Sequence, residues 1–456
     1  MDKSEVFLQS RGEYVTGKKA RERARAKRRK RARIRRQIRI FMVSLSLVLF
    51  FGVLIMVGYM AVVKPTKQQQ ESQNNPEQIT IDFAEMERPS QTAQEETEET
   101  NQEELTLSQA SEEEPDESER LYQEALDKGQ NVWLVECADS ARVTFAFAGD
   151  ILLDDSYAMM SQFRMRGSDI NDTFSASLLE RMRGADVFML NNEFPFSERG
   201  TPTEGKTFTF RAKPSNIEFF QQIGVDVVSL ANNHAYDHGE DALLDTFSTL
   251  ENAQIPYVGA GRNINEAKKP VYFIANGIKI AIVSATQIER NSVPDTKEAT
   301  VERPGVLRCM DPTALLEVIA EAKANSDFVI LYVHWGTESQ EATDWLQDEQ
   351  APIYVKAGVD LIIGDHPHCL QKIDVVSGVP VLYSLGNFWF NSKTQNTCLI
   401  EIGINQKGLE FLKFVPCRQE SCRTKELEGA EKESLLDYMR GISPNVSIDN
   451  EGYVSF

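Results

Sequence analysis

The chain predicts an α/β fold, a two-sheet sandwich with helices interleaved among its strands, carried behind a membrane anchor and a stalk. Three observations carry this expectation. From Val143 to Gly364, short apolar runs rich in β-formers alternate with segments of helical period. Polar turns rich in Asp, Asn and His follow several of those runs. Ahead of all of them lies one charge-free apolar stretch, from Ile40 to Val63, followed by a long polar segment.

Residues 1–39 form a basic tail, with a dense Lys/Arg run from Lys18 to Arg39. Residues 40–63 are long enough to span a hydrocarbon core of about 30 Å. They lead into Lys64-Pro65-Thr66-Lys67 rather than a small-residue cleavage site, so they read as an uncleaved signal anchor. The basic excess lies on the N-terminal side, which keeps the tail cytoplasmic and puts everything after Val63 outside the cell. Set against a hydrophobic span, the basic run marks topology rather than a nucleic-acid arm, and no nucleic-acid partner is expected. Residues 64–140 are rich in Gln, Glu, Asn, Ser and Thr. They hold too little apolar surface to offset their ordering entropy and read as a disordered acidic stalk. A short helix over 121–126 is expected where the stalk meets the folded unit.

Residues 141–456 form the folded domain. Strands are expected over 143–148, 187–190, 225–230, 328–333 and 359–363, and helices over 175–183, 215–223, 240–250 and 312–324. Asn276-Gly277 joins 271–275 to 279–284 as a hairpin. A helix over 348–357 should be interrupted near Pro352. After Gly364, segments 373–376, 379–385, 397–404 and 409–414 follow with short turns and imply antiparallel pairing, and 426–439 is a terminal helix. All six cysteines lie on the external side, where disulfides are permitted. Cys417 and Cys422 are spaced to close a local loop, although structural thiols fit equally well.

The chemistry gathers at strand ends. The 359–363 run is apolar throughout, ends at Gly364, and is followed by His366 and His368 with Pro367 fixing φ between them. In open α/β sheets ligands bind at that end of the strands. The chain has only five histidines, and His234, His238 and His334 also follow predicted strands. Together with Gly149-Asp150, Asn191-Asn192-Glu193 and Asn232-Asn233 they offer imidazole, carboxylate and amide donors at one sheet edge. That donor mixture suits divalent Zn, Mn or Fe rather than a thiolate zinc site.

Several segments together resemble the CapA family of capsule-synthesis proteins, linked to poly-γ-glutamate production and similar to calcineurin-type metallophosphoesterases. They are Phe147-Ala-Gly-Asp150, Asn192-Glu-Phe-Pro195, Phe208-Thr-Phe-Arg-Ala-Lys-Pro214, Ala231-Asn-Asn-His-Ala-Tyr-Asp237, Gly259-Ala-Gly-Arg-Asn263, His334-Trp-Gly336, Gly364-Asp-His-Pro-His368 and Ser384-Leu-Gly-Asn-Phe388. The resemblance implies a four-layer α/β/β/α sandwich with a metal site at one end of the paired sheets. It implies metal ligands at Asp150, Glu193 (in place of a bridging aspartate), Asn233, His334, His366 and His368, with His234 as the catalytic histidine beside them. Asp237 is then a partner for a histidine or a helix N-cap, and Asn192 a neighbour able to substitute as a ligand. Asn387 lies where the family is similar and lines the pocket. Arg211 and Lys213 offer cations to an anionic substrate, and His238 reads as a surface histidine. Where the superfamily places a histidine two residues after the first aspartate, this chain has Leu152. One ion should therefore be held tightly and a second more weakly.

Three functions compete. The first is a membrane-anchored, extracytoplasmic metal-dependent hydrolase or transferase in capsule synthesis, export or attachment, acting on an anionic surface polymer or its precursor. The second is a non-catalytic polymer-binding subunit among other membrane capsule-synthesis subunits. The third is a phosphodiesterase on cell-envelope substrates. The net charge of −20 repels a polyanion, so contact would require a local cationic patch or the metal itself.

Overall fold

The computed structural model describes residues 116–288 and 296–456. The basic tail, the 40–63 span and residues 64–115 of the expected stalk lie outside the described residues. No described helix is long and apolar enough to cross a membrane.

The described chain is a mixed α/β sandwich built on two large sheets. The first has seven strands, in spatial order Asn131–Leu134, Val271–Ala275, Ile278–Thr286, Phe328–His334, Leu361–Asp365, Val379–Leu382 and Ile373–Val376. The second has ten. At its centre Gln395–Asn405 pairs antiparallel with Val143–Ile151, which runs parallel to Val187–Asn192, and that strand in turn to Val227–Ser229.

Alternation along the strands decides what packs where. Phe145 and Phe147 face Ile280, Ile282, Ile330 and Ile363 in a core between the sheets. Their neighbours Ala146 and Ala148 belong to an outer core with helix residues Leu178, Met182, Phe220, Leu243 and Phe247. On the other side Ala281, Val283, Val329 and Leu331 pack on Leu315, Val318, Ile319 and Tyr354 of two further helices. Each fully buried aliphatic or aromatic side chain contributes about 1.5–3 kcal/mol. Burial on both faces also explains why Val187–Asn192, Phe328–His334 and Leu361–Asp365 are buried along their whole length.

Several expectations change. Helix Glu117–Asp127 and strand Asn131–Leu134, inside the stretch assigned to the stalk, belong to the sandwich. The strand pairs parallel with Val271–Ala275, and Ala125 of the helix is buried in the cluster that contains Ala281, Val283 and Leu315. The apolar run Val132–Val135 is short and reads as part of the polar, acidic stretch around it. Helix Trp345–Ala357 runs unbroken through Pro352, started by a capping box in which Asp344 and Gln347 satisfy each other's backbone. Buried Gln350, Ala351 and Tyr354 hold both sides of the proline in place. Beyond Gly364 the pairing is not purely antiparallel. Val379–Leu382 runs parallel to Leu361–Asp365, and Asn387–Trp389 runs parallel to Val143–Ile151. The hairpin at Asn276-Gly277 holds, both residues taking positive φ as a primed turn requires. All six cysteines are free thiols, Cys417 and Cys422 included.

Candidate metal centre

The carboxyl ends of the central strands of both sheets converge. Val143–Ile151 delivers Asp150, Val187–Asn192 leads into Glu193, and the turn after Val227–Ser229 supplies Asn233 and His234. The facing sheet delivers His334 and, from the end of Leu361–Asp365, His366 and His368. Both latter histidines sit at positive φ, 94° and 58°, a backbone cost of order 1–3 kcal/mol each. The Ser339 N–H, donating to the Pro367 carbonyl at 2.8 Å, helps hold this turn.

His334 fixes the first half of the site. Its Nδ1 lies 2.8 Å from Asp365 Oδ1; in the tautomer with the ring proton on Nδ1, Nε2 keeps a lone pair for a ligand. That Nε2 lies 2.8 Å from Asn233 Oδ1, 3.0 Å from His366 Nδ1 and 3.6 Å from Glu193 Oε1. Electron-pair donors at such distances have the spacing that the edges of a ligand shell would have. Bonds of about 2.0–2.2 Å around one divalent ion produce spacings of this size.

The second half centres on His368. Its Nδ1 is 2.9 Å from Asp150 Oδ2 and 2.9 Å from Asn387 Oδ1. Asn191 Nδ2 donates to Asp150 Oδ1 at 2.8 Å, and Asn232 Nδ2 donates to Asn191 Oδ1 at 2.9 Å, so a chain of amides fixes the carboxylate. Glu193 lies between the two halves in the potential ligand groups Glu193/His334/His366 and Asp150/Glu193/His368.

Electrostatics favour a cation. Both Glu193 oxygens are buried without a hydrogen-bond partner, as is Asp365 Oδ2. Burial, then repulsion from Asp150, pushes the Glu193 and Asp365 carboxyls well above the ordinary range. Burial likewise drives His334 down to about 3 and holds His366 well below its usual value. Neutral imidazoles and crowded, unpartnered carboxylates are a donor set that a divalent ion would complete. The residues present fit such an ion.

His234 stands beside this cluster. Asp237 Oδ2 lies 2.7 Å from its Nδ1, and its Nε2 is 4.0 Å from Glu193 Oε1. The Phe210 ring packs on it with centroids 4.1 Å apart. Asp237 is therefore a histidine partner; the helix behind it starts at Glu240, after Gly239. The same carboxylate accepts the Phe210 N–H at 2.6 Å and the Lys206 ammonium at 2.6 Å. Lys206 Nζ also donates to the Asn233 carbonyl.

Other expected residues sit differently. Lys213 is exposed and pairs with Asp155 at 3.4 Å, because the second carboxylate of the Asp154-Asp155 turn draws it outward. Arg211 donates its backbone N–H to Asp154 Oδ2 at 2.7 Å; burial, and then the Arg211 guanidinium, lower the pKa of His238. His238 is buried rather than on the surface, its Nδ1 without a partner. Asn192 turns its Nδ2 to the Phe194 carbonyl at 2.5 Å. Sequence reasoning missed Asp365, Asn191 and Lys206 as site residues. The first two stand inside motifs already singled out, whereas Lys206, in a polar loop, carried no signal.

Two facing sheets whose carboxyl ends gather buried histidines, carboxylates and amides define an α/β sandwich with a candidate divalent-metal centre. Residues 144–392 match the family model described as "Bacterial capsule synthesis protein PGA_cap", and the chain belongs to that family. It is 34% identical over 245 residues to "Capsule biosynthesis protein CapA" of Bacillus anthracis, covering 52% of this chain and 58% of that protein. It is 28% identical over 276 residues to "PGA biosynthesis protein CapA" of Bacillus subtilis, covering 59% of this chain and 70% of that protein. The match thus spans less than two thirds of the Bacillus anthracis protein.

Proposed function

We propose that this protein is a membrane-anchored, extracytoplasmic component of polyglutamate capsule production, acting by metal-dependent hydrolysis or transfer on an anionic polymer or its precursor. The observation that carries the reading is the convergence of Asn233 Oδ1, His366 Nδ1 and Glu193 Oε1 on His334 Nε2. The layers of helix, sheet, sheet and helix, with the site at the strand ends, support a four-layer metallophosphoesterase-like architecture.

Glu193, Asn233, His334 and His366 would hold one ion, and Asp150, Glu193 and His368 a second. When bound, such ions lower the pKa of water and polarise a phosphoryl or acyl oxygen. The remaining chemistry falls to His234. Asp237 keeps its proton on Nδ1, and burial, the largest influence, holds its pKa below the usual value. The neutral ring thus presents a free Nε2, which takes a proton and returns it to a leaving group. Phe210 packs against the ring with centroids 4.1 Å apart.

The test uses the full-length protein, assayed on bis-p-nitrophenyl phosphate and on γ-linked glutamate oligomers, with and without chelator. Turnover should vanish with chelator. His234→Ala should lower it by about 10²–10⁴-fold while metal content is retained. Leu152, in place of a superfamily histidine, favours the alternative of a polymer-binding subunit, and bound metal with no turnover on either substrate would support it. For topology, external protease on intact protoplasts should release a soluble domain by cutting ahead of Glu117. A domain fully protected from the protease would reject the extracytoplasmic placement.

A further inference from the structure

We propose that Asn387 is a ligand of the second ion, its Oδ1 standing in for the side chain that Leu152 cannot supply; this rests on the metal centre proposed above. Leu152 is turned away from the centre. Its N–H donates to the Trp389 carbonyl at 3.0 Å, and its side chain is 1% exposed in the outer core that also contains Trp389 and Phe390. The same strand, Asn387–Trp389, brings Asn387 level with Asp150, its register partner.

Glycine makes this approach possible. A Cβ on Gly149 would sit 2.0 Å from the Gly386 carbonyl oxygen, so any larger residue would push the strand and Asn387 away. The amide is also oriented. Asn387 Nδ2 donates to Gln395 Oε1 at 3.1 Å, and Gln395 Nε2 donates to the His368 carbonyl at 3.1 Å. Gln395 therefore fastens the amide and the histidine to each other, and Oδ1 points inward at 2.9 Å from His368 Nδ1.

The two half-sites then match in kind. In each, an amide oxygen stands 2.8–2.9 Å from an imidazole nitrogen, Asn233 against His334 and Asn387 against His368, with Glu193 shared. They differ in hardness. The first has two imidazoles, whereas the second has His368 and otherwise oxygens from Asp150, Glu193 and Asn387. That oxygen-rich set suits a harder ion such as Mn(II), the first set Zn(II).

Metal-free full-length protein should be loaded with one equivalent of Zn(II), then titrated with Mn(II) by calorimetry and by electron paramagnetic resonance of the bound ion. The wild type should take up one Mn(II). Asn387→Ala should weaken that step at least about 10-fold, a loss known even for residues outside the ligand shell, and leave the Zn(II) step unchanged. Asn387→Asp, which keeps an oxygen in place, should retain the second ion. If Asn387→Ala misfolds and loses both ions, Asn387→Asp decides: retention supports the assignment, loss overturns it. Equal Mn(II) affinity in wild type and Asn387→Ala, or a wild type that binds Zn(II) alone, overturns it while leaving a one-ion centre standing. A wild type that binds neither ion overturns the proposed function and this inference together.

Discussion

Replacing His334 with alanine is expected to cost the more tightly held ion more than about 100-fold in affinity, since losing even an outer partner of a metal ligand costs about 10–100-fold. His334 is the hub, its Nε2 facing Asn233, His366 and Glu193 and its Nδ1 facing Asp365. The substitution also strands the buried Asp365 carboxyl and Asn233 amide, each costing about 1–3 kcal/mol. His366→Ala removes one ligand without disturbing the His334–Asp365 contact and should lower metal content with less loss of stability. Metal stoichiometry by mass spectrometry and thermal melts of both variants would check this. Full occupancy in His334→Ala would reject the ligand assignment.

Lys206→Met should destabilise the fold by about 3–5 kcal/mol, the usual result of stripping one partner from a buried ion pair. The Lys206 side chain is 3% exposed and that of Asp237 0% exposed, 2.6 Å apart. Without the ammonium, the carboxylate keeps only the Phe210 N–H and His234. Adding Asp237→Asn should restore part of the loss by removing the stranded charge. Urea unfolding of the single and double variants measures both effects, and a single-variant change below about 1 kcal/mol would show that the pair is not energetically coupled.

How legible the molecule was depended on range. The buried strands were visible because both of their faces are apolar, and the Asn276-Gly277 hairpin because its turn chemistry is local. Asp150, Glu193, His334, His366 and His368 were visible because each ends or directly follows a run of strand formers. What escaped was set by packing between distant segments. Nothing near Lys206 in sequence announces Asp237, which it meets across a loop. Asn387 could be placed near the pocket, but its contact with His368 depends on a parallel strand pairing that short turns argued against. Lys213, expected as a cation for substrate, is exposed and pairs with its neighbour Asp155, a contact its own segment does not announce.

The Asn131–Leu134 strand forms one border of the seven-stranded sheet, and this bears on where the protein can be cut. A fragment beginning at residue 141 would lack it, leaving on Val271–Ala275 the backbone groups that pair with Asn131–Leu134 in register. An uncovered border of this kind is a template on which a second copy of the chain can add its own strand. The preceding helix serves the same border: Ser118 Oγ accepts the Gly277 N–H at 2.8 Å, at the tip of the hairpin that includes Val271–Ala275. Helix Glu117–Asp127 and strand Asn131–Leu134 thus cover a border on which self-association could start, and a fragment that keeps this border paired must begin before Glu117.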